Sequence, residues 1–183
     1  MRIYSTLITV SAAVLFCAGC KSQEPPKESE YKLTSPIRDI MGSMVMPNAD
    51  VLWNAVSTNI TDKGTEEKAP KTEEEWKVVR SSAVTIMEAS DLILLPGRHV
   101  AAPGEKAQDP NVNLSPEKIQ TMIDTDRTSW VNMAHDLHDS ILPVLKAIDA
   151  KDAQALSDAG ARIDKACEDC HLKYWYPKDL GKK

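Results

Sequence analysis

Two cysteines three residues apart, with a histidine directly after the second, close the last helical stretch of this 183-residue chain: Cys167-Glu168-Asp169-Cys170-His171. On a helix, positions 167, 170 and 171 share one face, because residues three and four apart are surface neighbours. Two thiols so placed can each add to a haem vinyl group as thioethers, and the adjoining imidazole can reach the iron from the same side. A Cys167–Cys170 disulfide and C-x-x-C thiol redox chemistry are the competing readings. Redox motifs of that kind usually open a helix that follows a strand, whereas this one ends a long helical pattern. Covalent attachment of one haem c, with His171 as an iron ligand, is the expectation.

The other end of the chain bears on the compartment. Residues 1–20 carry one positive charge at Arg2, an apolar run from about Leu7 to Phe16, and small residues before Cys20. That is the three-part pattern of a secretory signal, and its apolar run is too short to span a membrane. Cys17-Ala18-Gly19-Cys20 resembles a bacterial lipobox, although that family prefers Leu where Cys17 stands. The resemblance implies removal of residues 1–19, lipid on Cys20, and a periplasmic protein anchored to a bacterial membrane. An ordinary cleavable signal with an incidental cysteine is the alternative. Several acyl chains on one cysteine would anchor stably where a single chain is marginal. With Cys17 removed, Cys20 lipidated and Cys167 and Cys170 on haem, none of the four cysteines is left for a disulfide.

The remaining organisation follows from patterning. Residues 20–34 comprise the lipidated cysteine and a polar tether containing Pro25 and Pro26, residues 35–177 one domain, and residues 178–183 a basic tail. A net charge of −5 with no basic stripe argues against nucleic acid as a partner. Scarce glycine and an abundance of Ala, Leu, Met, Glu and Lys make the domain all-α. Ser35 as N-cap and Pro36 at the first helical position start helix one, whose stripe of Ile37, Ile40, Met41, Met44, Val51, Leu52 and Ala55 runs to about Thr58. Pro47 should kink or split it. A charged loop spans residues 61–71, and Thr72 with Glu75 forms a capping box for helix two. Its seam is Trp76, Val79, Ala83, Ile86, Ser90 and Ile93, and Pro96-Gly97 stops it. A loop over residues 96–114 precedes helix three, which runs from Ser115-Pro116 to about Ile148 with a kink at Pro143. Helix four extends from Asp152 to about Tyr174 with Leu156, Ala159, Ile163, Ala166 and Cys170 inward.

Four helices with mostly short links give an antiparallel four-helix bundle, with the haem at the end formed by the C-terminus of the last helix. That geometry nominates Ile37, Ile40, Met41, Met44, Ser90, Ile93, Leu94, Ile119, Met122 and Ile123 as pocket walls. The 96–114 loop should arch over this end, where Arg98 or His99 could pair with propionates or simply be solvated. Trp53, Trp76 and Trp130 read as core anchors far from the haem, and Tyr174 and Trp175 as neighbours of the macrocycle edge. His135 and His138, flanked by Asp136 and Asp139, read as a solvated face rather than a metal site. Lys173, Lys178, Lys182 and Lys183 make the haem end basic, as a guide for an acidic partner or as a soluble tail.

A C-terminal C-x-x-C-H on the last helix of such a bundle resembles the cytochrome c-prime superfamily. Ile37-Arg38-Asp39-Ile40-Met41, Pro47-Asn48-Ala49-Asp50, Leu94-Leu95-Pro96-Gly97-Arg98 and Tyr174-Trp175-Tyr176-Pro177 add to the likeness, which covers roughly residues 33–180. The resemblance implies His171 as fifth ligand, and either an open sixth position or a methionine from helix one. Depth along the helices favours Met41, with Met44 second and Met46 facing away. His171 lies roughly 5 Å from the end of its helix and Met41 roughly 9 Å from the start of its own. With Met41 bound, the protein would carry single electrons to and from a redox partner that the sequence does not name. With the face open, it would bind nitric oxide or carbon monoxide. No acid/base pair suggests an enzyme. The resemblance also implies that dimers are common, though no surface in the sequence declares one.

Overall fold

Pro36 (φ −70°, ψ 170°) brings the chain in extended and α1 (Ile37–Ile40) begins directly after it, one residue later than a Ser35 cap predicts. No side chain caps this end. The first free N–H groups, of Ile37 and Arg38, donate instead to the carbonyls of His99 (2.9 Å) and Val100 (3.0 Å) in the long loop. This computed structural model describes residues 31–177, and its helices belong to a compact unit that begins at Leu33. The signal, Cys20, most of the tether and the 178–183 tail lie outside the described residues.

Helix one does not run straight to residue 58. A π-helical turn, Met41–Val45, follows α1, and α2 (Met46–Trp53) completes the run. The cause is Pro47, which has no N–H for the Ser43 carbonyl and crowds it with its ring. The backbone widens just before the proline, so Met46 N–H bonds the carbonyl of Met41, five residues back. Asn48 Nδ2 returns a donor to the Met44 carbonyl at 2.7 Å.

The expected charged loop holds a β-hairpin instead. β1 (Ser57–Thr61) pairs antiparallel with β2 (Gly64–Lys68) around Asp62-Lys63, and Gly64 takes φ +129°. β-branched Thr58, Ile60, Thr61 and Thr65 on either side of a two-residue turn are the signal that favours this. The hairpin adds little to the core, since Ile60 is 84% exposed.

α3 (Glu73–Leu92) opens with the expected capping box: Thr72 Oγ1 accepts from Glu75 N–H, and Glu75 Oε2 accepts from Thr72 N–H at 2.9 Å. The third expected helix is two. α4 (Pro116–Thr125) starts under Ser115, but Asp126 leaves helical geometry (φ −129°, ψ 67°) and accepts from Ser129 N–H at 3.0 Å to start α5 (Arg127–Ala150). An aspartate that caps forward competes with continuing the helix through it. α5 carries Pro143 within a continuous helix. Lys151 (φ +52°) and Asp152 then reverse the chain into α6 (Ala153–Tyr174), with Asp152 accepting from Ala155 N–H.

The described residues are therefore mostly helical, with one small two-stranded sheet. α5 lies against both α3 and α6, and α2 reaches α3 and α6. Their shared seam is the core: Ile86, Ile141, Val144 and Ile163 are completely buried, with Trp76, Val79, Leu137 and Leu156 around them. Burying each such aliphatic chain contributes roughly 1.5–3 kcal/mol. Ile141→Ala should cost about 2–5 kcal/mol in urea unfolding, because α5 is packed on two sides and the void cannot collapse. Hydrogen bonds from the backbone N–H groups of Lys71 and then Thr72 hold the Glu75 carboxyl below its ordinary pKa. A depressed folded value means stabilisation that is present above the unfolded pKa and lost as pH falls through the folded one. Glu75→Ala should accordingly lower the Tm near neutral pH, with the gap to wild type closing as the pH falls below the ordinary glutamate range and the carboxylate protonates; a gap that persists in acid would exclude the carboxylate as its source.

Candidate haem-binding site

The last two turns of α6 turn Cys167, Cys170 and His171 toward a cavity of about 420 Å³, and all three are half-buried. The cavity's opposite wall is the first helical run, through Ile37, Met41, Val45, Met46, Ala49 and Trp53. α5 contributes Trp130, Met133, Ala134 and Leu137, and the loop contributes Val100 and Leu114. The volume falls within the range of ligand pockets, and the wall is mainly apolar.

Water exclusion sets the protonation states here. Burial, reinforced by Asp164, pushes the Cys167 thiol up to about 11. Burial, with Cys167 nearby, pushes Cys170 up to about 12. Redox-active C-x-x-C pairs need the opposite, an electropositive site that stabilises thiolate. Burial also holds His171 below the ordinary histidine value against the pull of Glu168, so its imidazole is neutral and has a free lone pair.

The chain after α6 folds back over His171. The His171 carbonyl accepts from the N–H of Trp175 (2.8 Å) and of Tyr176 (2.9 Å), and Leu114 N–H donates to the Trp175 carbonyl at 2.8 Å. The Trp175 ring meets the imidazole edge-on at 4.9 Å between centroids. The Tyr176 hydroxyl donates to Glu168 Oε2 at 2.7 Å and lies 3.4 Å from His171 Nδ1. Nε2 is the nitrogen left for a metal.

Of the expected pocket walls, Ile37, Met41, Ile93 and Ile119 line the cavity, while Ile40, Met44, Ser90, Leu94, Met122 and Ile123 do not. The π turn explains the change on helix one. Adding a residue to the turn brings i and i+5 together, so Met46 touches the cavity beside Met41 while remaining 47% exposed, in keeping with its expected outward face, and Met44 packs half-buried against the core. The Asp126 break explains the change on helix three: Trp130 sits one turn into α5, beside the end of α6, rather than deep in a longer helix. Trp76 and Trp130 are core anchors as expected, but Trp130 also lines the cavity, as does half-buried Trp53.

Arg98 does not reach the cavity. Its Nε donates to the Leu92 carbonyl at 2.8 Å and its Nη1 to the Ser35 carbonyl, so it clamps the loop to the start of helix one. His99 is exposed. The cation at the cavity is Arg38, held 2.9 Å from the Lys106 carbonyl and 3.7 Å from Glu105. Lys173 is engaged by Asp126 at 3.3 Å and by Ser129, which leaves it little freedom to guide a partner. His138 Nδ1 lies 3.0 Å from Asp139, and among the described residues no cluster of three or more His, Cys, Asp or Glu could hold a metal ion.

Two observations bear on whether a haem suits these residues. The donor set is two free thiols and a neutral imidazole on one helical face; thioether formation needs reduced thiols and iron ligation a neutral ring nitrogen. In addition, the buried Trp130 Nε1 and Tyr174 hydroxyl, on two cavity-lining residues in edge contact (5.3 Å), have no hydrogen-bond partner. Both atoms are sealed from the cavity as well as from solvent, so the thiols, the imidazole and the apolar wall carry the fit. The residues fit the group. Comparison with protein-family models, with curated proteins and with solved structures finds no match to this chain.

In protein produced without haem, Cys167 and Cys170 should alkylate with iodoacetamide near neutral pH at least about 100-fold more slowly than free cysteine, because so little thiolate is present. Labelling at the free-cysteine rate, followed by mass spectrometry, would mean that the thiols stand in a polar site.

Proposed function

We propose that this protein is a monohaem c-type cytochrome of the cytochrome c-prime type, carrying single electrons on an antiparallel four-helix bundle. The four helices are the α1–α2 run, α3, α5 and α6, and the two-residue link at Lys151-Asp152 supports the antiparallel order of the last pair. One observation carries the reading: Cys167, Cys170 and His171 open together onto an apolar cavity whose facing wall holds the Met41 thioether.

Haem c, when bound, supplies a one-electron couple. The protein's residues do the rest. Cys167 and Cys170 would hold the group covalently, and His171 would offer a neutral nitrogen. Met41 would offer a soft thioether that favours the reduced state and raises the potential. Val45, Ala49 and Leu137 would give the haem an apolar wall, which limits solvent reorganisation on electron transfer. Arg38, the cation on the cavity wall, would pair with a propionate. The lipobox-like segment at Cys20 supports attachment to a bacterial membrane facing the periplasm. The competing reading, a gas-binding protein with an open sixth position, differs only in what Met41 does.

A visible spectrum of the purified holoprotein tests this. Haem should resist extraction by acidic acetone, and the bands should be low-spin and indifferent to carbon monoxide. Met41→Ala should give a high-spin, carbon monoxide-responsive spectrum while keeping covalent haem, and His171→Ala should abolish the low-spin bands. An unchanged spectrum in Met41→Ala would remove Met41 from the ligand role and pass it to Met46, the other cavity thioether.

A further inference from the structure

The hydrogen bonds behind His171 suggest a second control on the potential, opposed to Met41. We propose that Glu168 and Tyr176 form a relay to Nδ1 of His171 that strengthens the imidazole as a ligand and holds the reduction potential down. This deepens the cytochrome reading and rests on it.

The geometry is set by the backbone. Helix α6 ends with two N–H groups, of Trp175 and Tyr176, converging on the His171 carbonyl. That closure swings Tyr176 back along the helix instead of away from it, and the Leu114 N–H bond to the Trp175 carbonyl pins it to the loop before α4. The hydroxyl arrives between two groups one turn apart on α6. It donates to Glu168 Oε2 at 2.7 Å, so its oxygen is left to accept from His171 Nδ1–H, 3.4 Å away. That separation is at the long end for a hydrogen bond. Binding of a cation at Nε2 polarises the Nδ1–H and strengthens it, as linked hydrogen bonds polarise one another.

Glu168 is exposed, so its charge acting through water would be screened. The Tyr176 hydroxyl gives the same charge a hydrogen-bonded route to the imidazole, beside its direct Coulombic pull. A histidine ligand whose outer N–H is drawn toward a carboxylate becomes more basic, and a more basic ligand favours ferric over ferrous iron. Glu168 and Tyr176 are positioning residues in this scheme, since neither touches the iron. Glu168 occupies one of the two variable positions of the C-x-x-C spacing, so the attachment motif itself carries the anionic end of the relay.

The test uses holoprotein with covalent haem. Tyr176→Phe removes the hydroxyl and keeps the ring; Glu168→Gln removes the charge and keeps the shape. Redox titration should show both midpoints shifted to higher potential, more for Tyr176→Phe. Resonance Raman of the ferrous Met41→Ala background should show the iron–histidine stretch moved to lower frequency when Tyr176→Phe is added. A purely structural role would lower the Tm and leave the stretch unmoved. Should Tyr176→Phe fail to mature, Glu168→Gln carries the test alone. Unchanged midpoint and stretch in variants that retain covalent haem overturn the relay only, whereas wild-type protein without covalent haem overturns the cytochrome reading as well.

Discussion

Partial burial of Cys167, Cys170 and His171 against an apolar wall is the constraint on which the site depends. The same desolvation keeps two thiols protonated and one imidazole neutral, with Cys167 and Cys170 raised and His171 lowered for a common reason. A polar setting around the same five residues would favour thiolate and disulfide chemistry instead. The dry environment is built by elements far apart in sequence: the α1–α2 run in front, α5 beside, and Trp175 and Tyr176 folded back over the end. Packing of α5 between α3 and α6, through Ile86, Ile141 and Ile163, holds those walls in place.

Two small backbone events decide which side chains meet in that space. Pro47 cannot donate, so the helix before it widens and two methionines five residues apart, Met41 and Met46, come onto one wall. Asp126 spends its side chain on Ser129 N–H, and this breaks a helix and delivers Trp130 to the cavity. Both are ordinary consequences of a missing donor and a competing acceptor. Between them they bring Met46 and Trp130 to the cavity wall.

The long loop acts as a strap. Its carbonyls at His99 and Val100 cap α1, Arg98 ties it to Ser35 and Leu92, and Leu114 holds the chain after α6. Three ends of the fold, the start of α1, the end of α3 and the end of α6, are thereby joined around one cavity. Arg98, which the sequence left open between a propionate partner and a solvated loop residue, serves as a backbone clamp, and Arg38 stands at the cavity.

Legible along the chain were the helical stripes, the capping box at Thr72, the start of the last helix at Asp152 and the grouping of Cys167, Cys170 and His171 on one face. All of these follow from spacing within a few residues, where helix geometry and local hydrogen bonding dominate. Met41 was legible for the same reason, as depth along a helix. The hairpin at Ser57–Lys68, the exchange of Met44 for Met46, the arrival of Trp130 and the contact of Tyr176 with His171 were decided only in three dimensions. Each turns on a backbone group that has to find a partner, and which partner is within reach depends on how distant segments pack.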